Sequence, residues 1–442
     1  MTENIENTEN NETTKTTEIS KEEKKEKRKR YTRLMAIVLI LVVIVDTYTT
    51  GLPNTLQPAV AADFLGGLSL TDQNATIAIG SAIFSFGLWF VFFFQYYADR
   101  FGRKRLLFIT VLGMAVALFG LTLSSNYIMY VIFMLFLLFF FNSDIWMIYV
   151  AESVKTRKRV KYTYLLMCIG TGGAILMAIN RMIFIVNLGF WKGITFFPII
   201  VAIPLSLLIA FKLKETPRFQ QIQNYRAKKG KPSFKQQIKS VFQIEERKSY
   251  VTLLWISFIF GLAFFATTTL IQKYIIDIGY SEGQLSTGVL ISTLSVVIAF
   301  GANSVLVEKF GRKKMMIFYS LMYPIVGIGV VILPTIFVGS NQGVMLLIIF
   351  MFLSGFAAWG LNSLLRIYTL EFLPTKNRGT GLGLRTLAMA IGGTLGLFLS
   401  APLILLIALG PTMILLICLC FIIVPIGIRV KETKGVDLSD IK

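Results

Sequence analysis

The chain has 442 residues, of which 55% are apolar and only 15% are charged. A water-soluble domain carries about 25% charged residues, so this composition excludes an ordinary soluble protein. Histidine is absent, and the three cysteines (Cys168, Cys418 and Cys420) all lie in apolar stretches. These features argue against imidazole metal sites, histidine-dependent catalysis and a disulfide framework. Whether the formal net charge of +20 indicates a nucleic-acid partner depends on where the charge lies.

The first 33 residues are rich in Asn, Thr and Glu and end in the basic run KEEKKEKRKRYTR. A segment with so few apolar side chains cannot bury enough surface to offset the entropy of folding. We therefore expect residues 1–33 to be a disordered, basic, cytosolic tail. No apolar stretch followed by a cleavage site precedes the first long hydrophobic segment, so no cleaved signal peptide is expected.

Twelve apolar stretches follow, each long enough for a membrane helix of about 20 residues. We number these predicted spans 1 to 12, at 34–57, 75–98, 106–124, 127–151, 162–188, 193–213, 250–272, 284–307, 315–334, 344–369, 380–402 and 411–429. The sequence thus predicts an all-α integral membrane protein with an N-terminal six-helix half (34–213) and a C-terminal six-helix half (250–429). A cytosolic central loop (214–249) separates the halves, and a cytosolic tail (430–442) ends the chain.

Lysine and arginine are concentrated in the tail and in the connections after the even-numbered spans. Short basic loops stay in the cytoplasm, so this pattern predicts a multi-pass protein of the cell membrane with both termini cytoplasmic. The positive charge therefore reflects topology. We expect the lipid bilayer as a partner and no nucleic acid.

Three motifs of the first half recur in the second half at separations of 209 to 219 residues. They are Asp99–Arg105 with Glu308–Lys314, Glu152 and Arg159 with Glu371 and Arg378, and Lys214–Arg218 with Lys431–Gly435. Three matches with such similar separations indicate two related halves.

Through these motifs the chain resembles the major facilitator superfamily, most strongly its branch of sugar porters and metabolite–proton symporters. The resemblance is carried by Asp99-Arg100, Gly102-Arg103-Lys104, Gly311-Arg312-Lys313, Tyr149–Glu152, Tyr368–Glu371, Leu373-Pro-Thr375 and Arg378–Gly381. It implies two pseudo-symmetric halves that expose a central site to each side of the membrane in turn. The Gln-Gln-x-Ser-Gly-x-Asn run of sugar porters is missing, which argues against a hexose substrate.

The acidic and basic residues at the cytoplasmic helix ends are predicted to form a cytoplasmic gate. Exposed ion pairs contribute about 0–1 kcal/mol each, which biases a conformational equilibrium without locking it. The alternative is that these charges are solvated and only fix the topology. The predicted gate residues are Asp99, Arg100, Gly102, Arg103, Glu152, Arg159, Glu308, Gly311, Arg312, Glu371 and Arg378.

Asp46 lies near the middle of span 1, where an ionisable residue is costly and is a functional hypothesis by default. Thr49, Thr50 and Asn54 follow on the same side of the helix, so we expect a polar stripe that faces a cavity. The resembling symporters carry an aspartate in this part of span 1, which implies proton coupling at Asp46. Asp144 in span 4 is a second candidate proton site. For both carboxylates a structural hydrogen bond or ion pair is the alternative.

Further polar and aromatic residues are predicted to line a substrate cavity, by their position in spans 4, 5, 7 and 10. They are Asn142, Trp146, Arg181, Thr268, Gln272, Trp359, Asn362 and Arg366. Arg181, Arg366 and Arg385 are intramembrane cations. Each either extends to the membrane interface or binds an anion, in which case the substrate is a carboxylate.

These features together predict a secondary active transporter that moves a small polar metabolite, an organic acid or a sugar-like compound, across the cytoplasmic membrane. The expected mechanism is alternating access with proton symport, by a monomer whose partners are its substrate and protons. The alternatives are a facilitator or a proton-antiport efflux carrier for amphipathic compounds, and a sensor built on a transporter fold. No nucleotide-binding motif, cofactor site, metal site or nucleophile–base set is present in the sequence, so an enzyme is not expected.

Overall fold

The computed structural model describes the backbone of residues 2–141, 156–216, 234–374 and 378–434, together with residues 146, 149 and 219. Side chains in those ranges are described except at 2–25, 28, 95–96, 98–100, 156–165, 167, 234 and 378. The described chain is helical, and eleven of its helices are long and apolar enough to cross a membrane. A twelfth, shorter apolar helix, Tyr127–Phe139, is the described part of span 4. The all-α fold with twelve spans is therefore confirmed.

The helices of the first half begin with Thr2–Thr55, which contains span 1, and the short helix Gln57–Phe64. Span 2 is Leu70–Ser85, continued through Phe86–Phe90 and Val91–Phe101; span 3 is Arg103–Thr122. Span 5 is Thr156–Arg181, which ends in a π-turn at Met182–Asn187. Span 6 is Phe196–Lys212, preceded by the 3₁₀ turn Trp191–Thr195.

In the second half, spans 7 to 11 are single helices and span 12 is broken by a 3₁₀ turn. Spans 7 to 11 are Arg247–Asp277, Glu282–Phe310, Arg312–Ile336, Asn341–Glu371 and Arg378–Ile407. Span 12 consists of Leu409–Cys418, Leu419–Ile422 and Ile423–Gly427.

In the structure the helix that contains span 1 begins at Thr2, within the N-terminal tail. Glutamate and lysine are good helix formers, and the exposed pair Glu26–Arg30, 2.7 Å apart, has the i, i+4 spacing that supports a helix. The central loop also contains a helix, Phe234–Val241. Val241 and Ile244 pack into the core of the second half, so this end of the loop is part of the folded protein.

The two membrane faces begin their helices in different ways. We call the face at which spans 3 and 9 begin the basic face, and the other the opposite face. At the opposite face, serine or asparagine side chains cap the helices that start there: Ser69, Asn126, Ser281 and Ser340. At the basic face, spans 3 and 9 begin after Gly102 and Gly311, whose φ angles are 101° and 94°. Only glycine adopts this backbone region without strain.

The hydrophobic core is divided in a way that relates the two halves. One cluster of buried residues lies within the first half, from Met35 to Leu213, and a second lies within the second half, from Val241 to Val430. A third cluster contains residues of both halves, such as Ala75 and Ala78 with Leu270 and Ile275. These residues lie near the opposite-face ends of spans 2 and 7. The halves therefore share a core at the opposite face.

Candidate functional site

Arg312 and Glu371 form the ion pair of the second-half motif at the basic face. Arg312 donates from Nε to both carboxylate oxygens, at 3.0 and 3.1 Å, and from Nη2 to Oε1 at 2.8 Å. The hydroxyl of Thr433 donates a further hydrogen bond to Glu371. A side-on guanidinium–carboxylate pair of this kind fixes orientation as well as charge. It joins spans 9 and 10, which belong to the same half.

Two glutamates cap the helices that begin at the motif glycines. The carboxylate of Glu432 accepts from the backbone N–H groups of Arg312 at 2.9 Å and Lys313 at 3.0 Å. Glu215 accepts in the same way from the N–H groups of Arg103 at 3.0 Å and Lys104 at 3.2 Å. A carboxylate at a helix N-terminus satisfies unpaired N–H groups and interacts favourably with the helix dipole.

The Lys-Glu-Thr repeat that contains these two glutamates is visible in the sequence, but their capping role is not. The duplication itself was the available signal, because each copy follows the last span of its half. Beside the caps, Tyr368 donates its hydroxyl proton to the carbonyl oxygen of Lys431 at 2.6 Å, and Tyr149 bonds to that of Lys214. The hydrogen bond from Lys431 to Glu246 raises the pKa of the lysine above its ordinary value.

The structure describes only some of the remaining predicted gate residues. Arg103 is buried, and its guanidinium lies 5.3 Å from the centre of the Phe219 ring. Glu308 is exposed. Glu152 and the side chains of Asp99, Arg100, Arg159 and Arg378 lie outside the described residues. The contacts described for this gate stay within one half, so they shape the helix ends of each half.

Arg181 of span 5 is the centre of a polar network that joins the halves at the opposite face. Its side chain is 0% exposed, so the guanidinium is enclosed by protein. It donates to the carbonyl oxygen of Thr55 at 2.7 Å and pairs with Glu282 of span 8. It also donates to Gln272 Oε1 and Ser286 Oγ, both at 2.9 Å. In this conformation the hydrogen bonds and the ion pair satisfy the buried guanidinium of Arg181.

Other hydrogen bonds between the halves extend from this face toward the membrane centre. Asn74 Nδ2 of span 2 donates to Asp277 Oδ2 of span 7 at 2.9 Å, and Asp277 also pairs with Lys273. Thr269 Oγ1 donates to Asn54 Oδ1 at 3.1 Å. Deeper in the membrane, Ser85 and Thr394 connect spans 2 and 11 at 2.7 Å. The halves are thus bound together by polar and apolar contacts at the opposite face.

The predicted polar stripe of span 1 is mostly engaged with its own backbone. Asp46 is buried, with 6% of its surface exposed. The hydroxyls of Thr49 and Thr50 donate to the carbonyl oxygen of Asp46 at 3.0 and 2.6 Å. Thr268 of span 7 likewise bonds to the carbonyl oxygen of Phe264 at 2.7 Å. These three hydroxyl protons are therefore used within their helices.

Asp46 interacts with Arg366 of the second half, which in turn lies near Arg385. Its carboxylate is close enough to attract Arg366 of span 10, and Arg366 is close enough to repel Arg385 of span 11. Arg385 donates from Nη2 to Asn362 Oδ1 at 2.6 Å. We call Asp46, Arg366 and Arg385 the charged trio. Arg385 is recognisable from the sequence as an intramembrane cation, but it is not among the predicted cavity residues.

The other predicted cavity residues are distributed over two places. Trp359 and Asn362 lie on the same face of span 10 as Arg366, at helical spacing. The rings of Trp359 and Phe264 pack edge to face, with their centres 5.7 Å apart. Arg181 and Gln272 instead lie in the network at the opposite face. Trp146 is buried, whereas Asn142 and Asp144 lie outside the described residues.

Comparison with known proteins finds one family model that matches most of the chain, one curated relative and solved structures of the same fold. The model of the Major Facilitator Superfamily matches residues 38–397. A protein of Bacillus subtilis (strain 168) named "Putative niacin/nicotinamide transporter NiaP" is 25% identical over 354 residues, which is 79% of this chain and 84% of that protein. A solved D-xylose–proton symporter is 18% identical with a TM-score of 0.72, over 92% of this chain and 99% of that one. The inward-open xylose transporter XylE from E. coli is 20% identical with a TM-score of 0.69, over 92% and 98%.

Proposed function

Because the chain belongs to the Major Facilitator Superfamily, we propose that this membrane transporter is a secondary active carrier that works by alternating access. It moves a small polar metabolite across the cell membrane and uses the proton gradient to do so. The basic face is cytoplasmic, as are both termini, because short loops rich in Lys and Arg resist translocation.

The observation that supports alternating access best is the network around Arg181. It links span 5 of one half to spans 7 and 8 of the other through polar contacts that can be broken and remade. The described motif pairs at the basic face, such as Arg312–Glu371, lie within one half. The network around Arg181 supports a carrier that is closed at the opposite face in this conformation. Separation of Arg181 from Glu282 is the step that opens the outer side.

Proton coupling is assigned to Asp46. It is the buried carboxylate of span 1, and it interacts with Arg366 of the other half. Protonation removes the charge that attracts Arg366, so loading a proton weakens one electrostatic link between the halves. A carboxylate that links the halves only when ionised is suited to couple proton movement to the change of conformation. Asp144 remains a second candidate.

The test is uptake by purified protein in proteoliposomes. Candidate substrates are first selected by a thermal-shift screen of sugars, carboxylates, amino acids and organic cations. Uptake is then measured with an inward proton gradient and without one, beside counterflow without a gradient. Accumulation that requires the gradient supports symport. Counterflow without gradient-driven accumulation identifies a facilitator. Accumulation that occurs only when the lumen of the liposomes is more acidic than the outside identifies an antiporter.

A further inference from the structure

The acceptors around Arg181 are divided unequally between the halves. Ser286, Gln272 and Glu282 belong to spans 7 and 8 of the second half. Within its own half the guanidinium has one described acceptor, the carbonyl oxygen of Thr55, at 2.7 Å. When the halves separate at the opposite face, the acceptors of spans 7 and 8 leave with the second half. The first half alone must then hold Arg181 in position for the next closure.

Span 5 does not continue as an α-helix beyond Arg181. The α-helix ends at this residue, and Met182–Asn187 form the π-turn. A π-turn interrupts the regular ladder of helix hydrogen bonds, and such turns are frequent at functional sites. Arg181 therefore lies in the last α-helical turn of span 5, and no continuing α-helix fixes its orientation. Its position depends on how neighbouring helices hold that turn.

Tyr48 of span 1 holds the last turn of span 5. Its hydroxyl accepts a hydrogen bond from Nδ2 of Asn180, the residue before Arg181, at 2.9 Å, and donates to the carbonyl oxygen of Ile194 at 2.6 Å. Ile194 lies in the 3₁₀ turn that precedes span 6. Tyr48 is 0% exposed, and its ring packs on that of Phe197 with the ring centres 5.2 Å apart. One buried hydroxyl group thus joins span 1 to span 5 and to the start of span 6.

Span 1 is a firm base for this contact, because its backbone lies close to that of span 5. A Cβ atom added at Gly173 would lie 2.1 Å from the carbonyl oxygen of Ile44, and one added at Gly170 would lie 2.2 Å from Cγ1 of Val43. The hydroxyl of Thr47 also donates to the carbonyl oxygen of Gly170. Small residues allow membrane helices to pack this closely. We therefore expect spans 1 and 5 to move together when the halves separate.

We infer that Tyr48 is a positioning residue for the closure of the opposite face. Its hydrogen bond to Asn180 fixes the rotation of the last turn of span 5, so that Arg181 is directed at the second half before it meets Glu282. This inference rests on the proposed alternating-access function and deepens it, because it names what keeps the arginine ready while the halves are apart. A group that is held in its bound orientation in advance loses less conformational entropy when its partners return.

The test measures access to the opposite face. Ala75→Cys is introduced into a full-length protein that lacks the native cysteines, and its rate of reaction with an impermeant maleimide is measured. Tyr48→Phe removes only the hydroxyl group and should raise this rate by about 2- to 10-fold, as the net contribution of a hydrogen bond predicts. Asn180→Ala removes the other partner and should have a similar effect.

Tyr130→Phe is the matched control. Tyr130 is also 0% exposed and lies in the first half, but its hydroxyl has no hydrogen-bond partner among the described residues. Removal of this hydroxyl should therefore leave the labelling rate of Ala75→Cys unchanged.

A double-mutant comparison separates the positioning of Arg181 from a general loss of packing. In an Arg181→Ala background, Tyr48→Phe should change the rate by less than about 2-fold, because the side chain that it positions is gone. Thr269→Val removes a different link between the halves, the hydrogen bond to Asn54, and should keep its full effect in that background. Gly66→Cys gives the rate of a fully accessible cysteine, and the temperature is set so that Arg181→Ala reacts more slowly than this limit.

The outcomes separate this inference from the proposed function. No increase in labelling for Tyr48→Phe and Asn180→Ala, or an equal increase by Tyr48→Phe with and without Arg181, overturns the role of Tyr48, even if uptake and counterflow are observed. The expected labelling pattern without uptake or counterflow of any candidate substrate supports the role of Tyr48 and rejects transport of those substrates.

Discussion

The guanidinium of Arg181 in span 5 pairs with the carboxylate of Glu282 in span 8, so the two halves of the protein share a buried ion pair. The arginine is fully buried, while 31% of the glutamate side chain is exposed. Removal of one partner leaves the other charge unpaired in the interior, which costs several kcal/mol for a buried pair and less for a partly exposed one. The opposite face is therefore expected to depend on this pair for closure.

The first prediction is that Arg181→Ala opens the opposite face. Ala75 is a suitable reporter, because it is 5% exposed and belongs to the cluster shared by the halves. In an Ala75→Cys background, a membrane-impermeant maleimide added from outside should label the Arg181→Ala variant faster than its parent. Arg429→Ala serves as the control and should leave the rate unchanged. Equal rates for all three proteins would show that the network does not hold this face closed.

The second prediction concerns the helix caps at the basic face. Glu432→Gln removes the charge that four described hydrogen bonds and the helix dipole favour, so stability should fall by about 0.3–1 kcal/mol. Gly311→Ala should cost more, about 1–3 kcal/mol, because it forces a side chain into a backbone region that only glycine favours. The new Cβ would also lie 2.6 Å from Glu432 Oε2.

Both cap variants are compared by thermal unfolding in detergent. Glu245→Gln is the control for the charge, because Glu245 is exposed, and Gly67→Ala is the control for the glycine, because nothing lies within 4 Å of its added Cβ. The wild type and the two controls should have the highest melting temperatures. The melting temperature of Glu432→Gln should be lower, and that of Gly311→Ala should be the lowest. A Gly311→Ala protein as stable as its control would contradict the capping geometry.

The third prediction is that Asp46→Asn separates exchange from accumulation. Asparagine imitates the permanently protonated carboxyl group, so the carrier can bind and exchange substrate but cannot release the proton. Proteoliposome counterflow should persist, while uptake driven by a proton gradient should be lost. Undiminished accumulation by Asp46→Asn would contradict proton coupling at Asp46 and leave Asp144 as the candidate. The same two assays on Asp144→Asn would then test that residue.

The fourth prediction is the orientation of the chain in the membrane. A cysteine introduced at Lys235, which is exposed in the central segment, should resist an impermeant reagent applied to intact cells and react after the membrane is opened. A cysteine at Gly66, which is exposed between spans 1 and 2, should react without opening the membrane. The reverse result would place the basic face outside.

The spans and the family were predictable from the sequence because they depend on local patterns. Twelve apolar stretches, the restriction of Lys and Arg to alternate connections, and the duplicated motifs are all read along the chain, and the fold and the family are confirmed. Span boundaries moved by a few residues, because the sequence marks where apolar residues end while the helix continues to its cap. Span 2, for example, is predicted from residue 75, but its helix begins at Leu70 because Ser69 caps it there.

The partners of the charged residues depended on the tertiary structure. Arg181 pairs with Glu282, Asp46 interacts with Arg366, and Glu432 caps the helix at Arg312, over separations of 101, 320 and 120 residues respectively. A sequence shows that an arginine lies within an apolar span, but not which neighbouring helix presents an acceptor at its depth. That relationship is fixed by which helices pack together and by their rotation about their axes. The sequence therefore determined which charges lie within the apolar spans of this protein. Helix packing decided that Arg181 is held by several acceptors, whereas Nε of Arg385 has no hydrogen-bond acceptor among the described residues.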